Sequence, residues 1–139
     1  MKESKFKFKI PFLKKIVFEC NSNYSCEEIE LNVRARTSIR KNEDEASVSL
    51  DIEIFEQEKL IENPYYINII MEGGFTWSRD LEEDKINELL KTNAPAILLS
   101  YIRPYLSDLT TGAGYPPLIL PLLDFNENEA VFEDENKIT

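Results

Sequence analysis

Proline and apolar side chains share one stretch of this chain, and that combination limits its structure more than any other feature. Five of the seven prolines lie within residues 94–125, which are otherwise rich in Leu, Ile and Tyr. Apolar residues recur at steps of three and four in the first half, which predicts a helix over residues 96–109. Its polar strip is thin, so the helix needs apolar cover on two sides. Pro104 is expected to bend it, and residues 110–114 to end it.

The second half, residues 115–125 (YPPLILPLLDF), is called here the proline-rich segment. Its three prolines exclude a helix or a central strand, so the segment is predicted to be extended. An apolar segment that cannot fold on itself must lie over other apolar surface. Such a segment can roof a groove, but on the pattern alone its side chains suit the chain's own core better.

Residues 6–73 show the alternation of apolar and polar residues that is typical of half-buried strands. The predicted buried sets are Phe6, Phe8, Ile10 and Phe12, with a continuation to Cys20 after Pro11; Ile29, Leu31, Val33 and Ala35; Val48, Leu50, Ile52 and Ile54; and Tyr65, Ile67, Ile69 and Met71. A charged hairpin at residues 41–45 joins the second and third strands. A short helix is then expected to begin after Asp80 and to break at residues 92–93. The pattern predicts an α+β fold, a four-stranded antiparallel sheet packed with a long helix from the C-terminal half.

Composition excludes several kinds of function. The net charge of −10 disfavours nucleic acid as a partner, and the chain has no histidine, the commonest proton shuttle. Cys20 and Cys26 are its two cysteines, which favours reduced thiols over a disulfide and provides too few ligands for a metal site. No signal peptide or membrane-spanning run is visible, which predicts a cytoplasmic location without membrane insertion. We expect neither an enzyme nor a cofactor.

Three motifs in the last third resemble the bacterial export chaperone family SecB. They are APAILLSYIR (94–103), YPPLIL (115–120) and DF (124–125), and they match without gaps. Looser similarity covers IVFE (16–19) and EGGF (72–75). The resemblance implies an oligomer, a dimer of dimers with the long helices packed between sheets. It also implies an ATP-independent holdase that binds unfolded or pre-secretory polypeptides in an apolar groove bordered by the proline-rich segment.

The resemblance and the patterns together identify the candidate site residues. The predicted groove consists of Ile29, Leu31, Val33, Tyr115, Leu118, Leu120, Leu122, Leu123 and Phe125. The predicted oligomer interface consists of Ile97, Tyr101, Ile102 and Tyr105. The family docks to the SecA motor through acidic residues of the sheet, and Glu19 is the one that matches clearly.

The sequence also predicts where the domain ends, and it leaves two alternative functions open. Residues 1–125 are predicted to form one chaperone domain, and residues 126–139 an acidic, flexible tail. Because the match to the motor-docking residues is poor, a SecB-like chaperone of a toxin–antitoxin system is one alternative function. The other is a carrier of a small apolar ligand that uses the same groove.

Overall fold

The computed structural model describes residues 4–24, 30–125 and 129–133. Within them, six strands precede or follow one long helix. The strands are β1 (Phe6–Phe8), β2 (Phe12–Cys20), β3 (Val33–Lys41), β4 (Glu45–Ile54), β5 (Tyr65–Trp77) and β6 (Glu129–Glu133). A short 3₁₀ helix, Gln57–Glu62, lies between β4 and β5, and the helix α1 extends over Glu83–Gly112.

All six strands belong to one sheet, in the order β1-β5-β4-β3-β6, with β2 also paired to β5. The strands β1 and β2 therefore share one edge of β5, where β1 pairs with its last residues and β2 with its first. The hairpin between β3 and β4 closes where it was predicted, with Lys41 opposite Ala46. The α+β class is confirmed, but the predicted four strands are wrong in number, since the described residues form six.

One face of the sheet packs against α1 and forms the core. The alternating residues of β4 and β5 on this face are buried, as their period of two predicts. Fully buried members include Leu50, Ile52, Ile67 and Ile69 from the sheet and Leu98 from the helix. The opposite face carries Ser, Arg, Asp and Glu side chains. A sheet with one apolar and one polar face is typical of antiparallel pairing.

The predicted break between two helices is wrong, because α1 is continuous from Glu83 to Gly112. Its N-cap residue is Glu82 rather than Asp80, whose carboxylate instead accepts a hydrogen bond from Lys5 Nζ at 2.5 Å. Thr92 remains helical, and its hydroxyl donates to the Glu88 carbonyl at 2.8 Å. Pro95 removes a single backbone hydrogen bond, and Leu90, Ala94 and Leu98 around it are buried on the sheet. This burial outweighs the local helix-breaking signal.

The glycine pair at residues 73–74 lies inside β5, which continues to Trp77. A Cβ added at Gly73 would lie 3.2 Å from Leu98 Cδ2 and 3.6 Å from Pro11 Cβ. The missing side chain therefore lets α1 approach the sheet closely at this point. Beyond it, Phe75 is buried and stacks on Phe6 at 5.5 Å between ring centroids.

The predicted flexible tail is partly structured. Residues 129–133 form β6, which pairs in parallel with β3 from Arg36 to Arg40. Nothing in the local sequence indicates this strand, because its partner lies about 90 residues earlier in the chain. Residues 126–128 and 134–139 lie outside the described part of the chain.

Candidate functional site

The proline-rich segment forms neither a helix nor a strand, as predicted, and hydrogen bonds attach residues 115–121 to α1. Thr110 binds its beginning, since the Tyr115 amide donates to the Thr110 carbonyl at 3.0 Å and the Leu118 amide to the Thr110 hydroxyl at 2.9 Å. Arg103 binds its middle, where Nη1 donates to the Leu120 carbonyl at 2.7 Å. These contacts satisfy backbone groups that an extended segment cannot satisfy by itself.

The side chains of the segment divide into an inner and an outer set. Leu120 and Phe125 are buried in the chain's own core, so the prediction that they line an open groove is wrong. Both close the gap between α1 and the sheet, where an extended backbone brings only some of its side chains inward. Tyr115, Leu118 and Leu123 are partly buried against the same core. Leu122 is 95% exposed and its neighbour Ile119 is 78% exposed.

An aromatic cluster lies where the segment begins. Tyr65 is at its centre, with ring centroids 5.4 Å from Tyr115, 5.7 Å from Phe55 and 6.2 Å from Phe18. These three contacts join Tyr65 of β5 to the edge strand β2, to the residue that follows β4, and to the segment. Burial raises the pKa of the Tyr65 hydroxyl, and the nearby Tyr115 adds to the effect. The cluster joins the proline-rich segment to the first residue of β5, the end of β4 and the edge strand β2.

Phe55 has an unusual backbone conformation, with φ at +64°. A bulky side chain seldom adopts this left-handed region, and the strain persists only where surrounding contacts enforce it. Here the Phe55 amide donates to the Asn32 carbonyl at 2.8 Å, and the ring is buried against Tyr65. The conformation directs the chain out of β4 and into the 3₁₀ helix.

A cavity of about 520 Å³ lies beside this cluster. Its apolar wall is formed by Leu31, Val33 and Phe55. Six of its nine lining residues are polar or charged: Glu30, Asn32, Glu56, Lys59, Glu62 and Asn63. Leu31 and Val33 line this cavity, and no residue of the proline-rich segment does. The opening lies beside the segment's first residue rather than under its length.

The 3₁₀ helix that forms the outer wall of this cavity is attached to β2 by Asn21. The Asn21 amide nitrogen lies 3.0 Å from the Leu60 carbonyl and 3.1 Å from the Asn63 carbonyl. The Asn21 backbone amide also donates to the Pro64 carbonyl at 2.9 Å. One polar side chain therefore connects the end of the edge strand to the wall of the cavity.

Sequence reasoning missed Phe55, Tyr65 and Lys59 as members of this region. The signal for Phe55 was present, because it follows Ile54 directly and two consecutive apolar residues break the alternation of β4. The positions of Tyr65 and Lys59 depend on tertiary contacts. Ile29, another predicted groove residue, lies outside the described residues.

A second apolar surface lies on the other side of α1, next to the edge strands β1 and β2. Tyr101 is 37% exposed, Tyr105 is 39% exposed, and Phe8 packs edge-on against Tyr101 at 6.5 Å. Ile97 is partly buried against the core. Ile102 is fully buried within the chain, so its assignment to an oligomer interface is wrong. It lies on the face of α1 that meets the sheet.

The outer face of the sheet is not a free acidic surface. Glu19, the predicted motor-docking residue, accepts a hydrogen bond from the Gln57 amide at 2.7 Å. Glu53 accepts one from the Tyr66 hydroxyl at 2.8 Å, which together with burial raises the Tyr66 pKa. Glu72 pairs with Lys14 at 3.3 Å and Arg40 at 3.6 Å. The acidic side chains of this face are therefore engaged with neighbouring donors.

Asp51, on the same face, has a raised pKa, whereas an ordinary ion pair lowers the pKa of a carboxyl group. Burial raises the pKa of Asp51, although the Asn68 amide nitrogen, 2.5 Å from its Oδ1, partly opposes the rise. Asn68 is itself buried and also donates to the Ile52 carbonyl at 3.2 Å. This pair joins β4 to β5 on the polar side of the sheet.

The described residues contain neither a possible metal site nor a membrane-spanning helix. Within residues 4–24, 30–125 and 129–133, no cluster of three or more Cys, Asp or Glu side chains forms a possible metal site. In the same part of the chain, no helix combines the length and apolar character needed to cross a bilayer. Cys20 is an exposed free thiol, and Cys26 lies outside the described residues.

Known structures share this fold. A SecB-like chaperone of Mycobacterium tuberculosis, solved with a peptide from the HigA1 antitoxin, superposes with a TM-score of 0.66. The match covers 86% of this chain and 88% of that one, at 15% sequence identity. The fold is thus that of a SecB-like chaperone, with one long helix on a sheet.

The family follows from the sequence comparison. The family described as preprotein translocase subunit SecB matches residues 1–137, and the chain therefore belongs to the SecB family, whose members are chaperones and not enzymes. An uncharacterised protein of Methanocaldococcus jannaschii is 34% identical over 100 residues, which are 68% of this chain and 63% of that protein. The protein-export protein SecB of Neisseria meningitidis serogroup C is 28% identical over 111 residues, 79% of this chain and 73% of its own length.

Proposed function

We propose that this protein is an ATP-independent holdase, which binds unfolded or pre-secretory polypeptides and keeps them soluble. The cavity of about 520 Å³ beside Phe55 and Tyr65 is the observation that carries this proposal. It lies near the first residue of the proline-rich segment, which exposes Leu122 and Ile119 further along. A cavity with one apolar wall and separate exposed apolar side chains together fit a flexible guest chain that binds at several points.

The binding energy of such a guest comes from small contributions. Each guest Leu, Ile or Phe side chain that is fully buried contributes about 1.5–3 kcal/mol. A few of them offset the cost of ordering a flexible chain, with no contact that depends on a particular sequence. The net charge of −10 keeps a loaded complex soluble and favours basic clients during encounter.

The mixed lining of the cavity favours a polypeptide guest over a small apolar ligand. Its polar side chains, Lys59 and Glu56 among them, can bind backbone amides and carbonyls next to the apolar wall. An apolar molecule would offer these polar groups no hydrogen-bond partner. A series of unfolded peptides separates the two functions: affinity that rises with peptide length supports the holdase, and saturation by one small hydrophobe supports the carrier.

The exposed leucine provides a direct test. We expect Leu122→Asp to weaken binding of reduced, carboxymethylated α-lactalbumin by about tenfold, since one guest contact of about 1.5 kcal/mol is lost. Ile10→Asp is the matched control, because Ile10 is 84% exposed between β1 and β2, on the opposite edge of the sheet. Equal affinities for the Leu122 variant, the control and the parent would contradict the proposed surface.

A toxin–antitoxin client is the second candidate. The SecB-like chaperone with the same fold was solved with an antitoxin peptide, which favours a related client here. Capture of bound polypeptides from the native host distinguishes the two, because export clients carry signal sequences and antitoxins do not.

Assembly and docking also belong to the proposal. The surface around Tyr101, Tyr105 and Phe8 is exposed in the single chain, and burying it between copies would give the dimer of dimers of the family. Glu19 remains the proposed contact for SecA, and a cytoplasmic location follows from that role. The engagement of Glu19 by Gln57 means that docking must displace a hydrogen bond of 2.7 Å.

A further inference from the structure

The strand β6 is weakly held at its edge of the sheet. It pairs with β3 over five residues in parallel, a geometry slightly less stable per residue than the antiparallel pairing of β3 with β4. Its larger side chains are incompletely buried, since Val131 is 38% exposed and Phe132 is 40% exposed. The Phe132 ring has Lys91 Nζ 5.4 Å from its centroid. The strand is therefore held by five register pairs and by side chains that remain partly open to solvent.

The edge that β6 covers has a defined chemistry. The register places Glu133 opposite Arg40 and Val131 opposite Ser38 on the same face. The edge thus matches a strand in which apolar residues are followed by an acidic one. Opposite charges on directly neighbouring strands stabilise pairing, and like charges oppose it.

The space behind β6 is incompletely filled. A cavity of about 490 Å³ is lined by Ala130, Phe125 and five residues of α1, among them Asn87, Lys91 and Thr92. The small Ala130 side chain leaves room for a larger one. A strand with leucine at that position would bury more apolar surface than β6 itself does.

We propose that the edge of β3 is a docking site for an extended client segment whose apolar residues are followed by an acidic one, and that β6 is a displaceable internal competitor for it. This inference rests on the proposed holdase function and specifies one of its contact surfaces. Added strands of this kind bind through main-chain hydrogen bonds, and the pockets on either side select side chains. A docked β6 closes the edge to a guest. The apparent affinity of the guest is therefore reduced in proportion to the fraction of molecules in which the edge is open.

A reversible cross-link tests the proposal. Ser38→Cys with Val131→Cys, in a background with Cys20→Ser and Cys26→Ser, puts two thiols on register partners of β3 and β6. Paired strands lie about 4.8 Å apart, within the range of a disulfide. The matched control, Ser38→Cys with Ser49→Cys, joins β3 to β4 and leaves β6 free.

The probes are two labelled nonapeptides, ENEAVFEDE from residues 127–135 and the same peptide with leucine for Ala130. We expect the reduced protein to bind the leucine peptide about tenfold more tightly than the alanine peptide. Oxidation of the β3–β6 pair should weaken leucine-peptide binding at least tenfold, and oxidation of the control should not change it. Equal binding before and after oxidation of the β3–β6 pair, or no peptide binding to the reduced protein, would overturn the proposal.

A charge variant gives an independent answer if the disulfide forms poorly. Glu133→Lys places a like charge beside Arg40 and should release β6, which raises affinity for the leucine peptide several-fold. Glu43→Lys makes the same change of charge on the exposed hairpin and should leave affinity unchanged. Equal affinities for the two variants contradict the role of β6.

Binding of carboxymethylated α-lactalbumin, measured in parallel, separates this inference from the holdase function. If the protein binds the client equally well before and after oxidation but binds neither peptide, the inference about β3 fails and the holdase function stands. If the protein binds the peptides only when β6 is released and does not bind the client, the inference about β3 stands and the holdase function fails.

Discussion

Arg103 is predicted to hold the proline-rich segment on the body of the protein. Its guanidinium donates to the Leu120 carbonyl at 2.7 Å and to the Pro121 carbonyl at 3.2 Å. Hydrogen bonds to charged groups contribute about 1.5–3 kcal/mol when they are well buried. The Leu120 contact is part-buried and the Pro121 contact is exposed, so we assign about 1.5 and about 0.5 kcal/mol. Arg103→Met should therefore cost about 2 kcal/mol, which is about 30-fold in the local opening equilibrium.

Amide hydrogen exchange measures this opening directly. The Leu118 amide, which is hydrogen-bonded to Thr110, lies two residues before the Arg103 contact and should exchange about 30-fold faster in the variant. Arg103→Lys keeps the charge and one donor, so we expect less than a tenfold change. Arg34→Met is the control, because Arg34 pairs with Glu53 on the exposed face and such pairs contribute little.

Unchanged exchange of Leu118 in Arg103→Met, with an unchanged urea midpoint, would refute this reasoning. The segment would then be held by its apolar contacts alone. Faster exchange in the Arg34 control as well would show a global rather than a local effect, and would refute it in the same way.

Three further predictions concern residues whose positions the fold decided. Leu120→Asp should destabilise the protein by about 4 kcal/mol or more, while Leu122→Asp should leave the urea midpoint unchanged, because the first is 4% exposed and the second 95%. Ile102→Ala should cost about 2–5 kcal/mol in chemical unfolding, whereas Tyr101→Asp should leave that stability nearly unchanged but lower the mass found by light scattering. The raised pKa of Asp51 means that the folded state holds its proton more tightly than the unfolded state, so stability from this group is lost as pH rises above about 4. Asp51→Asn should therefore stabilise the protein at pH 7, by an amount that shrinks towards pH 4 in urea titrations; an equal difference at both pH values would contradict the shift.

The alternating strands and the α+β class were predictable because they depend on local periodicity. The sets Val48 to Ile54 and Tyr65 to Met71 bury one face of a strand whatever the strand pairs with. The same reasoning failed at α1, where Thr92, Asn93 and Pro95 predict a break. Burial of Ala94 and Leu98 on the sheet stabilises a single continuous helix. Local helix propensity does not include the free energy of this tertiary burial.

The candidate site was predictable in part. Sequence reasoning found the proline-rich segment and the pair Leu31 and Val33, because their apolar character does not depend on the fold. It could not separate Leu120, which is buried, from Leu122, which is exposed, since both lie in the same apolar run. The direction of each side chain depends on how Arg103 and Thr110 hold the backbone.

The amino-acid sequence by itself determined the α+β class, the β3–β4 hairpin, the absence of helix and strand from residues 115–125 and the family, because each depends on neighbouring residues or on a motif read in order. The tertiary structure alone decided that α1 is continuous, that Phe55 takes a left-handed conformation beside Tyr65, and that residues 129–133 pair with β3. Each of these features depends on contacts between residues far apart in the chain. Their energies enter only when the sheet, the helix and the segment are assembled.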